Sequence, residues 1–206
     1  MPDYDDGVCN RFRILKTNRI LAEAFDIVRD LLNVPLPGEF FPGSRVPIIR
    51  QGEEGRKLTD ATWGIQLGAH RVTNSRDDKI DRIWHRFMGN RVVFPIDQAV
   101  EWHYDLDLLG QPVGKPRPWV IERAGGGIAA IAGIADGDRV SMMTCPATGV
   151  YAQVHNKNPD EPRMLVYLST AQDISDWLDD KLSPAQFKQM LLPAPDPALA
   201  AHPLNQ

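Results

Sequence analysis

Cysteine is scarce in this chain. Two residues, Cys9 and Cys145, occur among 206, too few for a disulfide framework and without the Cys-x-x-Cys spacing of a structural zinc site. No apolar run approaches the roughly 18 residues that a membrane-spanning helix requires. The opening Met1-Pro2-Asp3-Tyr4-Asp5-Asp6 is acidic where a secretory signal is basic. Internal repeats and a second-domain boundary are also missing. These absences predict a cytoplasmic protein in a reducing compartment, with no membrane partner and no cofactor, and a monomer is expected. A net charge of −4 excludes a general polyelectrolyte binder of duplex DNA, although a local arginine cluster could still hold a short single strand. The hydrophobic content of 43% suits one domain with a sizeable core.

What is present is a close succession of short elements. Segments 11–15, 45–50, 58–65, 91–95, 99–104, 118–122, 127–134, 139–144 and 164–168 combine β-branched and aromatic residues with Gly, Pro and Asp punctuation, which predicts strands. Thr17 can cap a helix in which Ile20, Leu21, Ala24, Phe25, Val28, Leu31 and Leu32 recur at helical spacing before Pro35, Pro37 and Gly38 end it. Segment 77–88 reads as a further helix. Thr170 with Asp173 has the form of a capping box for a helix through Asp180, and Ser183-Pro184 supplies a cap followed by proline at the first helical position. From Pro193 onward the prolines at 193, 195, 197 and 203 predict a tail that lies extended on the surface or is disordered.

Strands dominate the middle without regular βαβ alternation. The expected fold is therefore α+β, a mainly antiparallel, barrel-like sheet core with flanking helices. Along the chain this gives a leader at residues 1–8 that the mature protein can lack, a single domain at 9–192 and the proline-rich tail at 193–206.

Loss of eight residues would leave a chain that begins with Cys9. There a primary α-amine, pKa about 8, and a thiol, pKa about 8.5, stand on adjacent carbons. Such a 1,2-aminothiol captures aldehydes, because the amine forms an imine with the carbonyl carbon and the thiol then closes a five-membered thiazolidine. An internal cysteine cannot do this, since its nitrogen is an amide. A cysteine near a terminus can equally be a small buried residue, as Cys145 is expected to be, and Cys9 alone does not choose between the two readings.

Other residues carry similar pairs of readings. Trp63 and Trp102 are either core aromatics or surfaces on which a base stacks. His155 is either a hydrogen-bonded structural histidine or an acid and base. Asn74 suits a turn, Glu101 a wet strand end, and Arg71, Arg76, Arg82 and Arg91 a solvated face. Glu101, His103, Asp105 and Asp107 alternate along one predicted strand and could line one face as metal ligands. We discount that grouping and expect no metal, because the segment runs into the hairpin-like Leu108-Leu109-Gly110-Gln111-Pro112. The Gly125-Gly126-Gly127 run lacks the lysine of a phosphate loop and reads as a turn.

Four separated segments acquire meaning together. They are Cys9-Asn10-Arg11-Phe12; Trp63-Gly64-Ile65 followed by Thr73-Asn74-Ser75-Arg76-Asp77-Asp78; Arg91-Val92-Val93-Phe94-Pro95 running to Glu101-Trp102; and Met143-Thr144 with Val154-His155 and Arg163-Met164. In this order and spacing, from Cys9 to Trp177, the chain resembles the SOS response-associated peptidase (SRAP) family, whose members crosslink themselves to abasic sites in single-stranded DNA. The resemblance implies Cys9 as the nucleophile, Asn74 as the residue that orients its amine, and Glu101 as the carboxylate that handles protons there. It implies His155 as the group that helps open the deoxyribose ring, and Arg11, Arg76 and Arg163 as phosphate ligands. With these assignments Trp63 becomes a stacking surface. The implied partner is single-stranded DNA with abasic sites, and lyase activity at the imine stage and autoproteolysis are implied alongside.

Three departures from the family pattern stand out. Asn10 replaces a glycine, and Leu165 replaces the usual proline after Arg-Met in a segment where Asn156 to Pro162 is inserted between His155 and Arg163. The third is the leader, because a free amine at Cys9 requires the absence of residues 1–8. Either translation starts at Val8, through a GTG codon, or the protein removes the leader itself; the first is favoured. Two other functions stay open: a noncovalent single-strand-binding module with Cys9 blocked by its leader, and a cysteine autopeptidase with Cys9 and His155 as nucleophile and base.

Overall fold

The computed structural model describes residues 8–156, 160–193 and 199–204. Most of the expected leader (1–7), the middle of the insertion (157–159) and parts of the tail (194–198 and 205–206) lie outside the described residues. The strands of the first half are β1 Phe12–Ile14, β2 Ile27–Asp30, β3 Gly38–Phe40, β4 Arg45–Gly52, β5 Gly55–Trp63, β6 Ile65–Leu67, β7 His70–Val72 and β8 Asn74–Arg76. Those of the second half are β9 Arg91–Ile96, β10 Gln98–Leu106, β11 Pro112–Arg123, β12 Ala129–Asp136, β13 Arg139–Pro146, β14 Arg163–Leu165, β15 Tyr167–Leu168 and β16 Leu199–Pro203. The α-helices are α1 Asn18–Ala24, α2 Gly149–Val154, α3 Ala171–Leu178 and α4 Pro184–Met190.

The expected α+β architecture is present, and its barrel-like character has a definite origin. Strands β5, β4, β9, β12 and β13 pair in that order, all antiparallel, and a parallel contact of Arg139 with Thr62 and Val140 with Trp63 joins β13 back to β5. The sheet thus turns into a ring. Every residue of β9 is buried, which explains why Val92-Val93-Phe94-Pro95-Ile96 is a continuous apolar run rather than an alternating one. A second sheet runs in the order β16-β11-β10-β1-β3.

Phe12 ties the second sheet to the ring. Its ring lies 5.1 Å from that of Phe40, 5.2 Å from Trp63 and 6.4 Å from Phe94, and all four side chains are buried. Burial of such a side chain is worth about 1.5–3 kcal/mol, and each well-oriented ring pair adds about 0.5–1.5 kcal/mol. The amino-terminal segment is therefore nailed into the core three residues after Cys9.

Several elements differ from the sequence reading. The first helix stops at Ala24, because Asp26 takes a left-handed φ of 52°. The β-branched Ile27 and Val28 then leave as β2, parallel to β5. Segment 77–88 forms two 3-10 turns, Asp77–Lys79 and Trp84–Phe87, in place of one helix. Its apolar anchors Ile80, Trp84 and Phe87 are buried as the periodicity demands, but Arg163 and Arg76 hold Asp77 and Asp78 from outside the segment and set the first turn. The predicted capping box of Thr170 with Asp173 is present, and the predicted Ser183 cap with Pro184 at the start of α4 is completed by Gln186 into a second box. The described part of the tail is extended over Leu199–Pro203 as β16, paired with the edge of β11.

Gly133 in β12 marks a close approach to a core aromatic in the ring. A methyl group there would sit 2.4 Å from the Phe94 ring and 3.0 Å from the Ser141 carbonyl oxygen. Gly133→Ala is expected to lower stability by about 1–3 kcal/mol, measured by equilibrium chemical denaturation.

Candidate functional site

The register of β1 on β10 sets the site. Phe12 pairs with Ala99, and the Val100 N–H donates to the Arg11 carbonyl at 2.9 Å, so the chain running back from Phe12 passes alongside Glu101. There the Cys9 N–H donates to Glu101 Oε1 at 2.8 Å, with both residues buried. Asn74 approaches from the other side on β8, which pairs parallel to β13 through Asn74 and Met142. Its Nδ2 donates to the Val8 carbonyl oxygen and, at 3.3 Å, to Thr73 Oγ1.

The Val8–Cys9 peptide is consequently gripped at both polar atoms. Asn74 polarises its carbonyl and Glu101 receives its N–H. Cys9 itself has φ of 42°, a left-handed conformation that costs a non-glycine residue about 1–2 kcal/mol. Its thiol leans on the Arg11 carbonyl at 3.5 Å. Burial, and then the negative charge of Glu101, push the thiol pKa well above its ordinary value, so the thiol rests protonated and needs a base before it can attack.

His155 terminates α2, and the flanking residues tie that helix to β10. His103 Nδ1 meets the Val154 carbonyl at 3.3 Å, while the Asn156 side chain accepts from Tyr104 N at 2.9 Å and donates to Tyr104 O at 2.7 Å. His155 Nδ1 faces the Arg163 carbonyl at 3.1 Å. The Arg163 N–H lies 3.5 Å from the same nitrogen, so the backbone of Arg163 fixes the ring with Nδ1 as donor or as acceptor according to its tautomer.

The arginines are held by acids. Arg11 meets Glu39 at 2.8 Å. Arg76, on β8, forks onto Asp78 at 3.0 and 3.2 Å and reaches Glu161 at 2.5 Å. Arg163, on β14, pairs with Asp77 and donates to the Thr144 carbonyl at 2.9 Å. The expected solvated face at Arg91 is a correction: that guanidinium is buried and donates to the carbonyls of Met88, Trp177 and Asp179.

Trp63 is a further correction. The ring is fully enclosed, edge-on to Phe12, and its Nε1 donates to the Thr73 carbonyl at 3.0 Å, which leaves no face for a base. Trp102, next to Glu101, is the exposed one of the two tryptophans, at 41%. The alternating acids of β10 do not converge. A bulge between His103 and Asp105 breaks the alternation; Asp105 pairs with Arg117 at 2.5 Å and Asp107 accepts from Leu109 and Gln111 N–H groups in the hairpin.

Two residues of the neighbourhood carry no motif. Tyr151, on α2, and Tyr167, on β15, meet edge-on at 6.1 Å, fully buried or nearly so. Burial is the main cause that raises both phenol pKa values, with further contributions from Glu101 and Cys9. Tyr151 lies one helical turn before His155, which is the only sequence signal that could have found it. Cys145 is buried in β13, its thiol pushed up to about 12 by burial.

Glu101 supplies the second-largest cause of the raised Cys9 pKa, after burial. In a Cys145→Ala background, Glu101→Gln is therefore expected to move the Cys9 titration to lower pH while leaving it above the ordinary thiol value. Thiolate ultraviolet absorbance followed against pH reads the shift.

Residues 8–206 match the family described as SOS response associated peptidase (SRAP). No curated protein matches the chain. Among solved structures, a protein from Bordetella bronchiseptica has a TM-score of 0.76 at 21% identity, covering 96% of this chain and 100% of that one. A protein from Bacteroides thetaiotaomicron gives 0.76 at 18% identity, with 96% and 92% covered. A phage-related protein from Bordetella bronchiseptica gives 0.73 at 20%, with 96% and 95% covered. These likenesses establish a shared fold, and the family description points to a role in the response to DNA damage. With a match over nearly its whole length, this chain belongs to the SOS response associated peptidase (SRAP) family.

Proposed function

We propose that this protein captures abasic sites in single-stranded DNA, with Cys9 as the covalent nucleophile once its α-amine is free. The observation that carries the reading is the Glu101 carboxylate 2.8 Å from the Cys9 nitrogen, on the residue that also bears the thiol. The amine attacks the aldehyde carbon of the ring-opened sugar. Glu101 accepts the proton that the nitrogen loses and returns it to the departing hydroxyl, so water leaves and an imine remains. The thiol sulfur then bonds to the imine carbon, its proton passes to the nitrogen, and the thiazolidine closes. An imine that does not close is an electron sink for elimination of the 3′ phosphate, which is the lyase branch.

Asn74 serves as the orienting group and His155 as the acid and base at the sugar ring oxygen. Arg11, Arg76 and Arg163 hold phosphates by exchanging a carboxylate partner for a phosphate oxygen. Trp102, rather than Trp63, offers the stacking face, worth about 1–3 kcal/mol per base. The expected partner is single-stranded DNA with an abasic site.

Incubation of a Cys9-initiated preparation with single-stranded DNA that carries one abasic site is expected to give an adduct resistant to denaturation. Cys9→Ala abolishes it, and Glu101→Gln slows it by about 10²-fold or more. Salt-sensitive binding without any adduct from the Cys9-initiated protein would sink the covalent reading in favour of a noncovalent module.

The grip on the Val8–Cys9 peptide favours self-cleavage as a second reading. Cys9 Sγ attacks the Val8 carbonyl carbon while Asn74 stabilises the developing oxyanion. The C–N bond breaks, the nitrogen takes up the proton that the thiol gave up on attack and becomes the α-amine, and water then hydrolyses the thioester to a Val8 carboxylate and a free thiol. Because the thiol rests protonated, cleavage is expected to accelerate as pH rises through the neutral range. Intact-mass measurement over time reads this, with Asn74→Ala and Cys9→Ala both retaining the leader; a mass that never changes at any pH rules out the cleavage.

A further inference from the structure

The insertion between His155 and Arg163 places a carboxylate on a proposed phosphate ligand. Arg76 is a nearly buried cation, its side chain 9% exposed, and two acids satisfy it. Asp78 is local to it, two residues on, and takes Nε and Nη2 in a fork at 3.0 and 3.2 Å. Glu161 comes from the insertion, is 57% exposed, and meets Nη2 at 2.5 Å. Arg163 stands beside this pair and is bound to Asp77. Arg76 and Arg163, with Lys79 at 3.4 Å from Asp78, thus face three carboxylates, at Asp77, Asp78 and Glu161, so the acids neutralise the patch in the free protein.

We infer that Glu161 is an internal stand-in for a DNA phosphate, which seats on Arg76 in the free protein and has to be displaced when a strand binds. The inference rests on the reading that Arg76 holds phosphate. A carboxylate and a phosphate offer the same oxygen acceptors to a guanidinium, so the two compete for one position. Of the two acids on Arg76, Glu161 is the one that can leave. It is the more exposed, and an exposed carboxylate regains water when released, whereas Asp78 is fixed by the turn that begins at Asp77. The insertion therefore sets how tightly undamaged single strands are held: affinity is reduced by the cost of breaking the Glu161 contact, while Asp78 stays on Arg76 throughout.

The test is binding of an undamaged fluorescent single-stranded oligonucleotide, which has no aldehyde and forms no adduct, to the full chain at fixed low salt. Glu161→Gln keeps the shape and removes the charge; it is expected to tighten binding by about fivefold, the factor corresponding to an ion pair at the upper end of the exposed range. Asp160→Asn makes the same change of net charge one residue away, and is expected to shift affinity by less than half as much on the logarithmic scale. Equal shifts for the two variants would mean general charge rather than competition for Arg76, and overturn the inference. An unchanged affinity in Glu161→Gln, with wild type binding measurably, overturns it as well and leaves the DNA reading standing. If no variant and no wild-type protein binds single strands, the DNA reading and this inference fall together. In an Arg76→Gln background the gain from Glu161→Gln is expected to vanish; its persistence at full size also counts against the inference.

Discussion

A buried carboxylate accepting from a buried main-chain nitrogen is the contact on which the site depends. Glu101 is 1% exposed, and an ionised group so placed is costly unless its oxygens are met by donors. The Cys9 N–H is one of those donors at 2.8 Å. That donor arrives because β1 is locked to β10 in one register, and the register holds because Phe12 is packed among Phe40, Trp63 and Phe94. A slip of one residue would turn Phe12 out of the core and carry Cys9 away from Glu101 together. Aromatic packing and proton chemistry are thus coupled through a three-residue strand.

The arginines follow a second constraint. A chain of net charge −4 gains little from long-range attraction to DNA, so phosphate binding in the proposed function has to come from prearranged groups. Arg76 and Arg163 are nearly buried and fixed by Asp78 and Asp77 at the start of one short turn. Such side chains lose little rotamer freedom on binding, which favours the orientation of a strand over nonspecific attraction. The paired acids keep them from being lone buried charges in the free protein.

Much of this was legible in the sequence, and unevenly. The ring core was visible because β9 and β12 are long apolar strands whose composition admits little else, and the caps of α3 and α4 are local signals read within four residues. Cys9, Asn74 and Glu101 could be placed in one site only through the order of separated segments, since their contacts span 66 and 92 positions. The aromatics show where composition runs out. Trp63 ends β5 and Trp102 lies in the middle of β10, yet the first is enclosed and the second 41% exposed, because exposure is decided by what packs on each face of the strand. The first helix was overextended because Val28, Leu31 and Leu32 keep a 3.6-residue period by accident, while the left-handed Asp26 breaks the backbone. Glu161 and Tyr151 carry no such local signal, since Glu161 meets Arg76 85 positions away and Tyr151 meets Tyr167 in another element.

In the proposed function, one peptide geometry serves two successive reactions. With Val8 in place, the Cys9 nitrogen is an amide, and Glu101 can only hold its N–H while Asn74 draws charge onto the Val8 oxygen. The left-handed φ at Cys9 stores about 1–2 kcal/mol that a broken bond would release. After the bond is gone, the same nitrogen is an amine, and the same carboxylate becomes a base of matched position, since a proton now has somewhere to go. The oxygen position vacated by Val8 lies opposite Asn74, where a second carbonyl, that of an aldehyde, would meet the same donor. A site that polarises one carbonyl beside this nitrogen is thereby shaped to polarise another, so the proposed cleavage and the proposed capture would demand no separate machinery.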